Sequence, residues 1–391
     1  MATAWYRRSV RNAGTVRILG LCALVGACGD VAGDGDASTT TSEGSTASVS
    51  ATGTDESSTG VADTGTSTGS ATASSTSIAD TSSAGEVGSS TQALDTTGGE
   101  PLSFVAVTFN TGGHADGEDD VADEWYGNGL SWIPAVEQTQ AFFAELQPDV
   151  VVFQELFHSP DCAEIPVEYH AGYVCESWSE GDPTVVQVIL GAGYQLACHL
   201  GKTDKCAAVK QTFGTFVGCD SDFCLDGLAG AEVEDCGSGS RIGRGVIQLT
   251  AGGTLTVVNV HGTSGFLPAD HLCRVAQVEQ VFVDLDGEPA ANGVLDLVLG
   301  DFNTDPGRAA FTDFSAARWN DFVGDDLPFH FVTDVGPDAQ PTYAGLVNID
   351  HQVSDALTGT CWHPGITAGT DPVVDFDYFD HVPAVCDLTL R

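Results

Sequence analysis

Basic residues are scarce in this sequence. It has 13 Lys and Arg against 55 Asp and Glu, a formal net charge of −42. Residues 101–391 keep 9 of the basic and 44 of the acidic residues, so that segment alone carries −35. Nucleic-acid affinity comes largely from Lys and Arg that neutralise phosphates, so a surface of this sign repels polyanions. It repels anionic lipid surfaces in the same way. Adaptation to a salty medium, where the long-range part of the repulsion is screened, accounts for the composition equally well. Long apolar runs are missing too. The run Ile18 to Ala27 near the N-terminus is too short to span a bilayer as a helix. Between Gly29 and Gly99 there is no aromatic residue and almost no large aliphatic one, which excludes a packed core there. No Cys-x-x-Cys pair occurs, the nearest spacing being Cys219 to Cys224, so the usual zinc-site spacings are excluded.

What is present at the N-terminus reads as an export signal. Arg7, Arg8, Arg11 and Arg17 form a basic region ahead of the apolar run. Val25-Gly26-Ala27-Cys28 places small residues directly before a cysteine. This resembles the bacterial lipobox, in which the cysteine is lipidated and becomes the new N-terminus. The expectation is a lipoprotein signal peptide over 1–27 and a disordered Ser/Thr/Gly-rich tether over 28–100. A folded domain over 101–391 follows. The chain is then exported and held to the cell envelope, at the outer membrane or cell surface, through a lipid on Cys28. An ordinary cleaved signal is the alternative. Ten cysteines follow Cys28, an even number that suggests disulfides in an exported domain. Short loops within 162–236 and a bridge between Cys361 and Cys386 are plausible pairings.

Within the domain, hydrophobic periodicity places a strand at 103–109, a helix at 135–146 broken by Gln147-Pro148-Asp149, and a strand at 150–153. Residues 156–240, with seven cysteines and many Gly and Asp, read as a disulfide-stapled insertion around one or two strands, notably Val185 to Leu190. Strands at 245–249 and 255–260 flank the turn Ala251-Gly252-Gly253. A helix over 268–285 and strands at 295–300, 346–353 and 383–390 complete the pattern. Many strands with few helices imply two packed sheets with helices outside. His114, Asp116, Glu118, Asp119 and Asp120 crowd one loop, but their spacing fits no EF-hand, and a solvated acidic loop is the simpler reading.

Chemistry-bearing residues recur at the strand ends. The apolar run Val294 to Leu299 closes on Gly300-Asp301-Phe302-Asn303. A carboxylate and a carboxamide two residues apart emerge there on one side of the chain. One can accept a proton or hold a cation, and the other can donate to a phosphoryl oxygen. Asn110, Gln154-Glu155, His261 and Asp380-His381 stand at the ends of other runs. Taken singly, each has a plain structural reading: a turn residue, a strand exit, a core histidine, a loop cap.

Taken in order, the fragments are Thr108-Phe109-Asn110, Pro148 to Glu155, Asn259-Val260-His261, Gly300-Asp301-Phe302-Asn303, Ile349-Asp350-His351 and Asp380-His381-Val382-Pro383. This set resembles the endonuclease/exonuclease/phosphatase superfamily, the DNase I-like fold, over about residues 102–391. The resemblance implies an α/β protein, a four-layer α-β-β-α sandwich. It implies a divalent-metal-dependent phosphoesterase that uses Mg²⁺ or Mn²⁺ on a phosphate-ester substrate, whether lipid headgroup, nucleic acid or small molecule; a monomer is expected. By the same resemblance Glu155 is the principal metal ligand, Asn110 helps hold the metal site, and Asp380 is a further metal-site carboxylate. Asp301 orients or deprotonates the attacking water, and Asn303 donates to the phosphate. His381 contacts the scissile phosphate or moves a proton, Asp350 fixes its tautomer, and His261 is the second histidine. Phe379 replaces the family's serine before the terminal Asp-His pair, and His351 is expected on the strand face opposite Asp350. Arg241 and Arg244 either bind a substrate phosphate or pair with acids. The alternatives to a phosphoesterase of this kind are a non-catalytic surface binding lipoprotein on the same fold, a secreted-type DNase, or an adhesive lipoprotein.

Overall fold

The computed structural model describes residues 101–113, 125–126, 129–237 and 239–391. The expected signal, Cys28, the tether and the acidic cluster from His114 to Asp120 lie outside the described residues.

In chain order the elements begin with β1 (Ser103–Asn110), α1 (Ile133–Leu146), β2 (Val150–Gln154), α2 (Val185–Leu190), β3 (Tyr194–His199) and β4 (Lys202–Lys210). Next come β5 (Gly214–Phe216), β6 (Phe223–Cys224), β7 (Ile242–Leu249), β8 (Thr254–His261), α3 (Pro268–Phe282) and β9 (Asp296–Asp301). The chain ends with α4 (Phe314–Phe322), β10 (His330–Phe331), β11 (Asp350–Ser354), β12 (Leu357–Trp362) and β13 (Ala384–Leu390). Seven strands form one sheet in the order β12-β13-β1-β2-β4-β3-β6. Six form the other, β10-β11-β9-β8-β7-β5.

Alternation along the strands builds the layers. Ala106, Val150, Val152, Ala207 and Val209 of the first sheet meet Ile247, Leu255, Val257, Leu297 and Leu299 of the second between the sheets. Their immediate neighbours point the other way. Val107, Phe109, Val151 and Phe153 face outward to Phe143 of α1 and Ile189 of α2. Val258, Val260 and Val298 face Val278 and Val281 of α3 and Trp319 of α4. Successive side chains of a strand take opposite faces, so a strand that is apolar on both belongs in the middle of such a sandwich. Each such buried aliphatic contributes about 1.5–3 kcal/mol. The result is the expected four-layer α-β-β-α sandwich.

Two sequence expectations fail in the region 156–240. Val185–Leu190 is a helix, not a strand. The run is β-branched, but Gln187 Oε1 accepts from Thr184 N at 2.9 Å, and Gly191 follows the last turn. These end signals outweigh side-chain β propensity in a six-residue segment. The region is also no insertion. It supplies β4 and β3, and β4 pairs directly with β2 in the centre of the sheet. All ten cysteines after Cys28 are paired. Cys162–Cys175, Cys198–Cys206, Cys219–Cys224 and Cys361–Cys386 close the short loops expected, while Cys236 leaves the region to join Cys273 on α3.

Candidate active site

Strand direction gathers the candidate residues. β1 and β2 are parallel, so Asn110 lies opposite Gln154 at their carboxyl ends, with Glu155 next in the chain. β8 and β9 are parallel, so His261 lies opposite Asp301 at theirs. β11 runs against β9, which puts its first residue, Asp350, opposite Asp301. β13 runs against β1, so His381, just ahead of it, comes to the same end. The site therefore bridges both sheets at one end of the sandwich.

Two glycines make room for it. A Cβ on Gly300 would lie 1.9 Å from Val260 O, so the strand pair β8–β9 can close only with glycine there. A Cβ on Gly112 would lie 2.3 Å from Glu155 Oε2, so a larger residue there would push that carboxylate out of its present position. Glu155 and Asn303 both have positive φ, 55° and 51°. Side chains rarely accept that conformation, and it costs about 1–3 kcal/mol. At Asn303 it turns the chain back on Asp301. Asn303 N donates to Asp301 Oδ1 at 2.7 Å, and Asn303 Nδ2 donates to Asp301 Oδ2 at 2.7 Å. The two side chains meet as expected, but through this turn and not through strand alternation.

Two linked clusters result. In the first, Glu155 Oε1 accepts from Asn110 Nδ2 at 3.3 Å and lies 3.3 Å from His261 Nε2. Burial alone would raise the Glu155 carboxyl, but the contacts from His261 and Asn110 prevail and hold it below the usual carboxylate range. His261 is buried, which lowers its pKa, so at neutral pH it is a neutral imidazole donating from Nε2. Asn110 Nδ2 also donates to Asp301 Oδ2 at 3.1 Å and so joins the first cluster to the second.

In the second cluster, His381 Nδ1 donates to Asp350 Oδ2 at 2.9 Å, and His381 Nε2 lies 3.8 Å from Asp301 Oδ2. Asp301 and Asp350 are each only 1% exposed. Burial, with the charge of Asp350 adding to it, pushes the Asp301 carboxyl up to about 7, against His381 and the donors of Asn303 and Asn110. Burial would lower His381, but the charges of Asp350 and Asp301 outweigh it and raise the imidazole to about 10. At neutral pH the cluster thus holds an imidazolium between two carboxylates, one of them poised to take or give a proton. Asp380 lies beside it, and its charge adds to the rise of His381.

The donor set suits a hard divalent cation at Glu155. This carboxylate is ionised and about a third exposed, and it faces a cleft of about 250 Å³ that His261 also lines. Asp301, Asp350 and His381 also offer ligand atoms within 4.8 Å of one another. A cation there must displace the proton of His381, because a ligating imidazole is neutral. Glu155 meets no such competitor. Asn110 Nδ2 donates to the carboxylates and its Oδ1 accepts from Gly112 N at 3.0 Å, so it holds Glu155 in place and keeps one lone pair of Oδ1 free. Asn303 Nδ2 is engaged by Gly262 O at 3.0 Å and by Asp301, so donating to a phosphoryl oxygen requires it to release one of them.

Other residues separate from the site or join it unannounced. His351 is buried on the opposite face of β11 between Phe302 and Phe331, with Nδ1 to Thr333 Oγ1 and Nε2 to Asn348 O. It is part of the core. Arg244 pairs with Glu288, whereas Arg241 lines the cleft beside Glu155 and His261. Tyr343 escaped sequence reasoning. Its ring stands 4.8 Å from that of His381, and it pairs with His381 through an isolated backbone bridge. Nothing in the segment 341–347 marks it, because the approach is made by the fold.

No family model and no curated protein matches the sequence. Solved structures do resemble it. TDP2 from D. rerio, complexed with single strand DNA product, is 14% identical with a TM-score of 0.43, over 73% of this chain and 98% of its own. An endonuclease/exonuclease/phosphatase family protein from Bacteroides thetaiotaomicron is 12% identical with a TM-score of 0.41, over 75% and 96%. ANGEL2, a 2',3'-cyclic phosphatase in complex with adenosine-2',3'-vanadate, is 11% identical with a TM-score of 0.44, over 74% and 96%. The family named by the order of the sequence fragments is thus represented among them.

Proposed function

We propose that this chain is a divalent-metal-dependent phosphoesterase, using Mg²⁺ or Mn²⁺ to hydrolyse a phosphodiester or phosphomonoester. The observation that carries the reading is the junction made by Asn110, whose Nδ2 donates to both Glu155 and Asp301. It puts a cation-holding carboxylate next to a buried acid–base set, as phosphoryl transfer to water requires. In this reading Glu155 holds the metal, with Asp380 near it. The metal supplies charge neutralisation at the phosphoryl oxygens. Asp301 positions the attacking water and takes its proton. His381, charged and oriented by Asp350, faces the phosphate or protonates the leaving oxygen. Asn303 and His261 complete the polar wall.

The domain acts as a monomer on a small or headgroup phosphate ester, since its −35 charge opposes extended polyanions. It is exported and anchored through lipid on Cys28. Five disulfides support the export part of that reading. The test of function is hydrolysis of an aryl phosphodiester, an aryl phosphomonoester, sphingomyelin and plasmid DNA by the purified chain with Mg²⁺ and, separately, with Mn²⁺. Turnover of at least one ester that disappears with chelator supports the reading, and no turnover of any of them with either metal overturns it. The anchor is tested separately by Cys28→Ser, which is expected to leave the membrane fraction.

A further inference from the structure

Of the nine basic residues in 101–391, three gather beside the candidate site. Arg241 and Lys202 line the cleft that Glu155 and His261 share, together with Asp204, Leu156 and Ser264. Lys205 follows on β4, fully buried; burial pushes its amine well below the usual lysine range, with Asp204 opposing that and Lys202 and Arg241 adding to it. Elsewhere Lys210 donates to Gln147 O, and most of the arginines are matched. Arg244, Arg274, Arg308 and Arg318 each pair with a carboxylate. Lys202 pairs with Asp204 at 2.8 Å. Arg241 has no hydrogen-bond or ion-pair partner for its guanidinium among the described residues, and its Nε is buried. Lys205 Nζ is likewise buried without a partner. The unpaired guanidinium of Arg241 faces the cleft, where an anion can take up its donors.

The position is fixed by the backbone. His261 N donates to Arg241 O at 2.9 Å, so Arg241 is locked beside a site residue. The loop before it is tied to α3 by Cys236–Cys273 and by Gln280 Nε2 to Ala231 O at 2.9 Å.

The geometry points to a second anion subsite, in which Arg241 and Lys202 hold a phosphate of the substrate other than the one being cleaved. The preferred substrate is then a small phosphoester that carries a further phosphate. A guanidinium can bind that group through two parallel hydrogen bonds, while an ammonium acts as a point charge. The cleft of about 250 Å³ takes one phosphate and a small linking group. Asp204 and the ionised Glu155 line the same cleft and offset its two cations, which favours a single phosphate over a polyanion.

The inference about substrate rests on the phosphoesterase reading, but the anion site can be probed without turnover. The experiment titrates the full chain, in chelator, with inorganic phosphate, followed by calorimetry and by ³¹P line broadening. Binding is expected in the wild type, weakened at least about tenfold in Arg241→Ala, partly restored in Arg241→Lys, and kept in His381→Ala. Lys202→Ala, a second and partly exposed position, is expected to weaken it as well. No phosphate binding at millimolar concentration overturns the proposal, as does binding that survives Arg241→Ala and disappears in His381→Ala. A second arm compares kcat/KM for an aryl monophosphate with that for an aryl bisphosphate and for an oligonucleotide. The bisphosphate is expected to be favoured by at least about tenfold in the wild type and to lose that preference in Arg241→Ala. An oligonucleotide preferred over the bisphosphate contradicts the substrate class. Phosphate binding through Arg241 with no turnover of any ester refutes the enzymatic reading and leaves the anion site standing.

Discussion

His381 Nδ1 lies 2.9 Å from Asp350 Oδ2, while its Nε2 lies 3.8 Å from Asp301 Oδ2. One imidazole thus connects the carboxylate that orients it to the carboxylate assigned to the water. The carboxylate partner selects the Nδ1–H form and favours the imidazolium.

If Asp350 acts only through His381, losing both costs little more than losing His381. The double variant Asp350→Asn with His381→Ala is expected to be about as impaired in phosphoester hydrolysis as His381→Ala alone. Strictly additive losses in folded variants would separate the two residues and leave Asp350 a structural carboxylate.

Gly300→Ala is expected to destabilise the fold by more than about 3 kcal/mol, because the new methyl would overlap the Val260 carbonyl and separating the strands breaks their ladder. Urea unfolding measures this. A change within about 0.5 kcal/mol would show that β8 and β9 can part at no cost.

His351 gives a pH signature away from the site. Burial lowers its pKa to about 4, against partial compensation from Asp305 and Asp350. Between that value and the ordinary imidazole value the unfolded chain binds the extra proton, so stability falls as pH drops from about 6.5 to 4, by up to about 3 kcal/mol. His351→Gln is expected to flatten that part of the curve, whatever its stability at pH 7. Equal acid slopes for variant and wild type would mean that His351 is protonated in the fold without cost.

The candidate site was largely legible because several of its residues end apolar runs. Asn110, Glu155, His261 and Asp301 follow strands whose two-faced hydrophobicity marks them as central, and parallel neighbours bring their ends together. The sandwich followed from the same runs. What stayed hidden depends on pairing or on chain ends. Val185–Leu190 carries the composition of a strand, and only its Thr184 and Gly191 flanks announce a helix. β4 was obscured by Lys202, Lys205 and Lys210, which read as surface although Lys205 is buried. The contact of Tyr343 with His381 and the bridge from Cys236 to Cys273 join segments far apart in the chain, and no local pattern encodes them.

The most direct test of the account is the metal response of Glu155→Gln. The substitution keeps the size and one hydrogen-bond acceptor but removes the charge that would hold the cation. The measurement is the rate of hydrolysis of the best ester against Mg²⁺ concentration, for wild type and variant, with circular dichroism to establish that both are folded. The account predicts turnover reduced by roughly a thousandfold and a metal requirement shifted to much higher concentration, since a bound cation supplies several kcal/mol of transition-state stabilisation. A folded Glu155→Gln that turns over at a near-normal rate with an unchanged metal dependence would contradict it.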